Sequence, residues 1–228
     1  MQKIEHVLYI NLESRLDRKV HVEQQLKNIG ITNAERFNAI KLENGRAGCS
    51  MSHLKCLMLA KKNKWPHVMI CEDDILFLDP TLFKKNLNAF LSNMNTLDSL
   101  SNPLWDVLLI AGNNCPPYYP ICDEYIKVTR CQTTTGYLVL EHYYDTLIEN
   151  IKTGMNLLLK NQDDHFHYAI DKYWLELQKM DRWYLITPLT VVQREDYSDI
   201  EKRCTNYAAL MTDLDKRHLF KNYLKNFT

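Results

Sequence analysis

The sequence has no excess of either charge: 28 basic residues meet 28 acidic ones, so its bulk electrostatics point neither to nucleic acid nor to an anionic membrane surface. Any anionic ligand has to be met locally. There is no run of about 18 apolar residues, which argues against a membrane span. The short apolar stretch near the start returns at once to polar residues, unlike a secretory leader. The seven cysteines include no CxxC pair, and several lie in apolar runs, where a thiol acts as a small hydrophobe. Reduced, structural thiols are therefore expected, in a soluble, cytoplasmic chain. Internal repeats, low-complexity tracts and the nucleophile elbow of a serine hydrolase are also missing.

What is present suffices for a core: 228 residues, 46% hydrophobic, fit one domain spanning 1–228, with its body over 5–200 and a charged, helical tail over 201–228. HVLYINL at 6–12 reads as a strand, the segment from Leu16 towards Gly30 as a helix, and ERFNAI at 35–40 as a second strand. This βαβ opening signals an α/β fold with a mainly parallel sheet. Gly45 to Gly48 reads as a loop, with Ser50 or Ser52 capping a helix that runs to about Lys64. HVMICEDDILFL supplies another strand, Pro80 to Leu91 a helix, NMNTLDSLSNP a polar loop, and WDVLLIAG a further buried strand. Short strands follow at YIKVTR and TTTGYLVL, then helices from about His142 to Lys152 and from about Asp163 to Lys179, and WYLITPLTVVQ closes the sheet.

Glu72, Asp73 and Asp74 end a strand that is apolar up to Ile70. Three ionised carboxylates cannot be buried there without partners, so they leave the core, carry protons or hold a cation. In an extended chain Glu72 and Asp74 project to the same side and can share one hard cation, Mg2+ or Mn2+. A solvated acidic turn is the alternative. Arg15 and Arg18 share a helical face beyond the first strand, beside Asn11, and read either as anion ligands or as a solvated face paired with Asp17. GCSMSHLKC puts Ser50, Ser52 and His53 at a loop-to-helix junction, where they serve an anion or simply cap the helix. NQDDHFHYAIDKYW gathers Asp163, Asp164, His165, His167 and Asp171 for acid–base work or for ordinary helix electrostatics. His165 and His167 diverge on a helix and do not form a two-histidine zinc site. PPYYP either stacks on a sugar ring or packs on itself.

Taken in order, INLESRLDRK, GRAGCSMSHLKCLMLA, VMICEDDI, TTTGYLVL, DDHF and ITPLTVVQREDYSDI give a chain that resembles glycosyltransferase family 25 from about Val7 to Ile200. The resemblance implies a GT-A-type nucleotide-sugar fold, a mixed and mainly parallel sheet flanked by helices, and transfer of galactose or glucose from a UDP-sugar with Mn2+ (or Mg2+). It further implies that Asn11, Arg15, Arg18, Ser52, His53, Asp73, Thr135 and Gly136 bind the nucleotide sugar. Asp74 and Glu72 hold the metal, and Asp164 or Asp163 faces the acceptor as the catalytic carboxylate. The family often carries a proline or an aliphatic residue before that last acid, where this chain has Asn161 and Gln162. The implied partners are the UDP-sugar donor and a glycan or collagen-like hydroxylysine acceptor, with no nucleic acid, no membrane span and a homodimer left open. A catalytically inactive binding or scaffold module is the rival reading.

Overall fold

The computed structural model describes residues 4–96 and 103–216. In chain order these form β1 (Val7–Asn11), α1 (Leu16–Asn28), β2 (Ala34–Asn38), α2 (Gly45–Lys62), β3 (His67–Glu72), β4 (Ile75–Phe77) and α3 (Pro80–Thr96). Next come β5 (Val107–Leu109), β6 (Asn113–Asn114), β7 (Tyr118–Pro120), β8 (Tyr125–Val128), β9 (Cys131–Gln132), β10 (Gly136–Leu140) and α4 (Tyr144–Lys160). The short helices α5 (His165–Tyr168), α6 (Ile170–Tyr173) and α7 (Leu175–Met180) lead to β11 (Trp183–Ile186), β12 (Val191–Gln193), β13 (Asp196–Ser198), β14 (Arg203–Thr205) and α8 (Ala208–Met211).

The central sheet has eight strands in the order β2-β1-β3-β10-β5-β11-β8-β7. β1 pairs in parallel with β2 and β3, and β5 with β11, while β10 and β8 run against their neighbours. The sheet is thus mixed, with six strands pointing one way, in keeping with the expected α/β class. Side-chain alternation divides the core into two clusters. Val7, Tyr9, Met69, Cys71 and Leu138 pack on one face with Val22 and Leu26 of α1 and Phe83 and Phe90 of α3. Leu8, Ile10, Val68, Ile70, Tyr137 and Val139 pack on the other with Leu54 and Leu57 of α2 and Leu147 and Ile151 of α4. Strands covered on both faces have no reason to alternate with polar residues, hence the unbroken apolar runs.

Three expectations change. Gly45 to Gly48 is not a loop but the first turn of α2, and the cap is Asn44, whose side chain accepts from the N–H groups of Arg46 and Ala47. Gly48 is there for close packing: a Cβ would lie 2.5 Å from the Ile40 carbonyl oxygen. The helix expected over 163–179 is three short ones, broken at Ala169, whose ψ of 147 is extended. WYLITPLTVVQ divides, β11 entering the central sheet and β12 pairing with β4. Of the expected tail, 201–216 contains β14 and α8, while 217–228 and most of the polar connector (97–102) lie outside the described residues. All seven cysteines are free thiols, and among the described residues no helix is long and apolar enough to cross a membrane.

At the start of β5, buried Asp106 accepts from Nε and Nη2 of Arg182, the Arg182 backbone N–H and Nε2 of His142, at 2.5 to 3.2 Å. Burial acts to raise its pKa, but these bonds outweigh it and hold the carboxyl below its ordinary 3.8. A carboxyl depressed on folding stabilises the protein above its unfolded pKa, and that contribution is lost as pH falls through the folded value. Asp106→Asn is expected to lower stability by about 2–3 kcal/mol at pH 7 and to shrink the loss that wild type suffers below about pH 4, read as urea midpoints across pH. An unchanged midpoint at pH 7 would remove this anchor from the account.

Candidate active site

β3 lies between β1 and β10, and its last residues meet the carboxyl end of β1. In open α/β sheets this edge is where ligands bind. The chain does not continue extended through the acidic run: Asp73 and Asp74 form a turn into β4. β4 is drawn aside to pair with β12, and the Arg194 N–H donates to the Asp74 carbonyl at 2.7 Å. The extended geometry expected to bring Glu72 and Asp74 to one side is therefore replaced by a turn, in which the charge of Glu72 still acts on the Asp74 carboxyl.

The three carboxylates have different surroundings. Asp73 accepts from Asn11 Nδ2 at 2.7 Å and from Arg18 Nη1 at 3.0 Å. Burial nonetheless pushes its pKa up. Asp74 has one oxygen 3.4 Å from Arg18 Nη1; the other, Oδ1, is buried and accepts no hydrogen bond from another residue. Burial first, then the charge of Glu72, pushes the Asp74 carboxyl up to about 8. Burial acts on Glu72 as well, yet His53, Thr134 and Cys49 outweigh it and hold that carboxyl below its usual range. Glu72 is thus the more acidic of the two and Asp74 the more readily protonated.

Asn11 is buried and engaged throughout, since its Oδ1 also accepts from Arg36 Nε at 2.9 Å. Arg15 binds Asp17, Asp196 and Asp199. Arg18 bridges Asp73, Asp74 and Asp196. Asp196, which also pairs with Arg194, ties the β13 hairpin to α1. Its carboxyl feels burial, but the bonds from Arg194, the Tyr197 N–H and Arg18 carry it well below the usual range. RxxR alone could not have revealed this partner, which lies 178 residues away from Arg18.

Ser50 and Ser52 are inside α2 rather than at its junction with a loop. Ser52 Oγ donates to the Gly48 carbonyl at 2.8 Å and accepts from the Ile40 N–H at 2.9 Å, so its hydroxyl is committed to holding that segment on the helix. His53 is fully buried, with Nδ1 2.9 Å from Tyr137 Oη and Nε2 3.3 Å from Glu72 Oε1. Thr135 and Gly136 line up beside β3, where the Thr135 carbonyl accepts from the Glu72 N–H at 3.0 Å. A Cβ on Gly136 would meet Ile110 at 2.7 Å, which accounts for glycine there by packing.

Asp163 is exposed, and Asp164 is half-buried and paired with the exposed His167 at 2.6 Å. Neither makes a hydrogen bond or ion pair with the Glu72 cluster among the described residues. The acid of this segment that does face the cluster is Asp171. Its Oδ2 accepts from the Thr133 N–H at 3.2 Å, and burial, followed by a contribution from Glu72, raises its pKa. Asp171 follows the aliphatic Ile170, the one sequence signal that could have selected it. Thr133 has φ 78, a left-handed conformation that is costly for a β-branched residue. That turn aims its own N–H at Asp171, while the next residue, Thr134, donates its hydroxyl to Glu72 at 2.8 Å.

Beside the acidic turn, Leu12, Glu13, Ser14, Asn38, Ala39 and Lys41 line an open cleft of about 440 Å³ at the carboxyl ends of β1 and β2. Such a volume suits a nucleoside-sized ligand. Its lining runs from the last residue of β2 to three residues beyond the strand ends, with Leu12, Glu13 and Ser14 inside INLESRLDRK and Asn38, Ala39 and Lys41 outside the motifs.

Residues 39–109 match the model of glycosyltransferase family 25 (LPS biosynthesis protein). Among curated proteins none matches. Similar solved structures include a glycosyltransferase involved in the glycosylation of the major capsid of PBCV-1, at 13% identity and TM-score 0.46 over 97% of this chain and 98% of that one. Another is an apo UDP-glucose pyrophosphorylase, at 9% identity and TM-score 0.43 over 95% and 82%. A third is a mutant of a Drosophila β-1,4-galactosyltransferase 7 in complex with manganese, UDP-Gal and xylobiose, at 16% identity and TM-score 0.33 over 62% and 51%. The family match runs from the segment held by Ser52, through the helix bearing Cys49 and His53 and the carboxylates Glu72, Asp73 and Asp74, to the end of β5, and over that stretch this chain is similar to the glycosyltransferases of family 25.

Proposed function

We propose that the protein transfers galactose or glucose from a UDP-sugar to a hydroxyl of a glycan or a collagen-like hydroxylysine, with a divalent cation held by Asp74 and Glu72. The observation that carries this reading is Asp74 Oδ1, a carboxylate oxygen buried without a hydrogen-bond donor beside a second, ionised carboxylate. An all-oxygen donor set of this kind fits Mn2+ or Mg2+. Bound there, the cation supplies charge neutralisation for a diphosphate leaving group. Neither the family match nor the fold argues for a homodimer.

The chain's own residues take the remaining roles. The cleft at Leu12 to Ser14 and Asn38 to Lys41 receives the nucleoside, with Lys41 as a local counter-charge. Arg18, which spans Asp73 and Asp74, becomes available to the diphosphate once a cation shares those carboxylates. Asn11 and Ser52 act by position, holding Asp73 and the 40–42 segment in place. For deprotonation of the acceptor hydroxyl the geometry favours Asp171, whose carboxylate burial makes a stronger base. Asp164, or Asp163, is the second reading for that role, on the strength of the family motif.

Three measurements test this. UDP release with Mn2+ is expected from at least one of UDP-Gal, UDP-Glc and UDP-GlcNAc, and Asp74→Asn is expected to cut it by at least about 100-fold. A carboxyl raised on folding weighs against the fold increasingly from its unfolded value of 3.8 up to about 8. Metal-free Asp74→Asn should therefore melt higher than wild type at pH 7, by about 2–4 °C for each kcal/mol recovered. Turnover retained by this variant would sink the cation assignment. Asp171→Asn should lower kcat by about 100-fold or more with donor KM little changed, while Asp164→Asn stays within about threefold; the reverse pattern would move the base to Asp164.

A further inference from the structure

Glu72 turns its two oxygens towards different company. Oε2 faces Gln193, while Oε1 faces a cluster on the α2 side of the strand: Cys49 Sγ at 3.5 Å, His53 Nε2 at 3.3 Å and Thr134 Oγ1 at 2.8 Å. One carboxylate oxygen is thus approached by three groups, and the His53 distance is longer than the usual N–H to O hydrogen bond. The thiol sulfur, the imidazole nitrogen and the carboxylate oxygen all lie within 4.8 Å of one another. Bonds of about 2.3 Å to sulfur and 2.0–2.1 Å to nitrogen and oxygen in a tetrahedron set ligand atoms about 3.3–3.6 Å apart. The two measured edges fall in that range.

From these distances we infer that Cys49, His53 and Glu72 form a Zn2+ site, with a fourth position open to water or an exogenous ligand. Cys49 and His53 are four residues apart on α2, which puts both on one helical face. His53 is oriented from behind, its Nδ1 meeting Tyr137 Oη at 2.9 Å and the two rings stacking 5.6 Å apart, the kind of outer partner that fixes a ligating imidazole. Cys49 is partly exposed and the Glu72 side chain 19% so, which gives the ion a path from solvent. The donor set decides the metal: thiolate and imidazole select a borderline-soft ion, unlike the oxygens of Asp74. Zn2+ enters as the Cys49 S–H bond breaks and its proton leaves to solvent. The site shares Glu72 with the cation site proposed above, offering Oε1 to the Cys49 and His53 cluster, and otherwise stands on this geometry without the glycosyl-transfer reading.

Co2+ titration of the full, reduced, metal-free chain tests it. The expected result is a near-ultraviolet thiolate-to-cobalt band and visible tetrahedral bands, complete at one equivalent and abolished by one equivalent of Zn2+. Cys49→Ser should lose the charge-transfer band and bind Zn2+ at least about 10-fold more weakly against a chromophoric chelator. Exposed Cys204→Ser should keep both. Asp74→Asn should keep the thiolate band even where it has lost turnover, so the two sites fail separately. Should Cys49→Ser not fold, site-resolved alkylation of wild type decides, with Zn2+ expected to slow modification of Cys49 by at least about 10-fold and to leave Cys204 unchanged. The absence of a thiolate band at one equivalent, a band that survives Cys49→Ser, or an alkylation rate at Cys49 indifferent to Zn2+ overturns the proposal.

Discussion

The arrangement of the molecule turns on how the charge at the end of β3 is accommodated. A strand covered on both faces runs into three carboxylates, and leaving them unpaired in such a place costs more than a fold of this size can spare. Each is dealt with differently. Asp73 is bonded to Asn11 and Arg18, Glu72 is surrounded by Cys49, His53 and Thr134, and burial shifts Asp74 towards its protonated form. Asn11 at the end of β1, Arg18 on α1, His53 inside α2 and Thr134 before β10 are all placed by these requirements.

One site thus combines opposite electrostatic conditions within a few residues. The Asp106 cluster at the other end of the sheet shows what a purely structural carboxylate looks like: all its bonds are made and its pKa is depressed. At Asp74 the pKa is raised and an oxygen is unused. Groups kept in this state cluster at functional sites, because chemistry needs a ligand atom that the fold has not already satisfied.

Much of this was legible in the sequence. Apolar runs ending in Asn11, Glu72 and Gly112 marked strands, and the βαβ opening followed from period and turn residues. Whatever depended on a distant partner was not legible. Gly45 and Gly48 read as flexible because no local pattern shows that the connector before α2 folds back to set the Ile40 carbonyl against the second glycine. The Asp163–Asp164 pair drew attention that belongs equally to Asp171, since no local pattern shows that Thr133 will turn its N–H towards Asp171. Arg15 and Arg18 read as anion ligands or as a solvated face paired with Asp17, because their other carboxylates, Asp196 and Asp199, lie about 180 residues on.

That last pairing bears on how the protein is made. The β12 strand and β13 hairpin clasp the acidic turn through the Arg194 N–H and through Asp196, joining residues 178 to 184 positions apart to the first helix. Contacts of such sequence separation form late, after more local structure has reduced the entropy of closing the loop. During synthesis the first helix and the acidic turn therefore leave the ribosome well before the segment that completes their surroundings. Until residues 191–199 arrive, Arg15 and Arg18 have only the local carboxylates Asp17, Asp73 and Asp74 as partners. Assembly of the site is thereby coupled to the arrival of residues 191–199, more than 100 residues after the acidic turn.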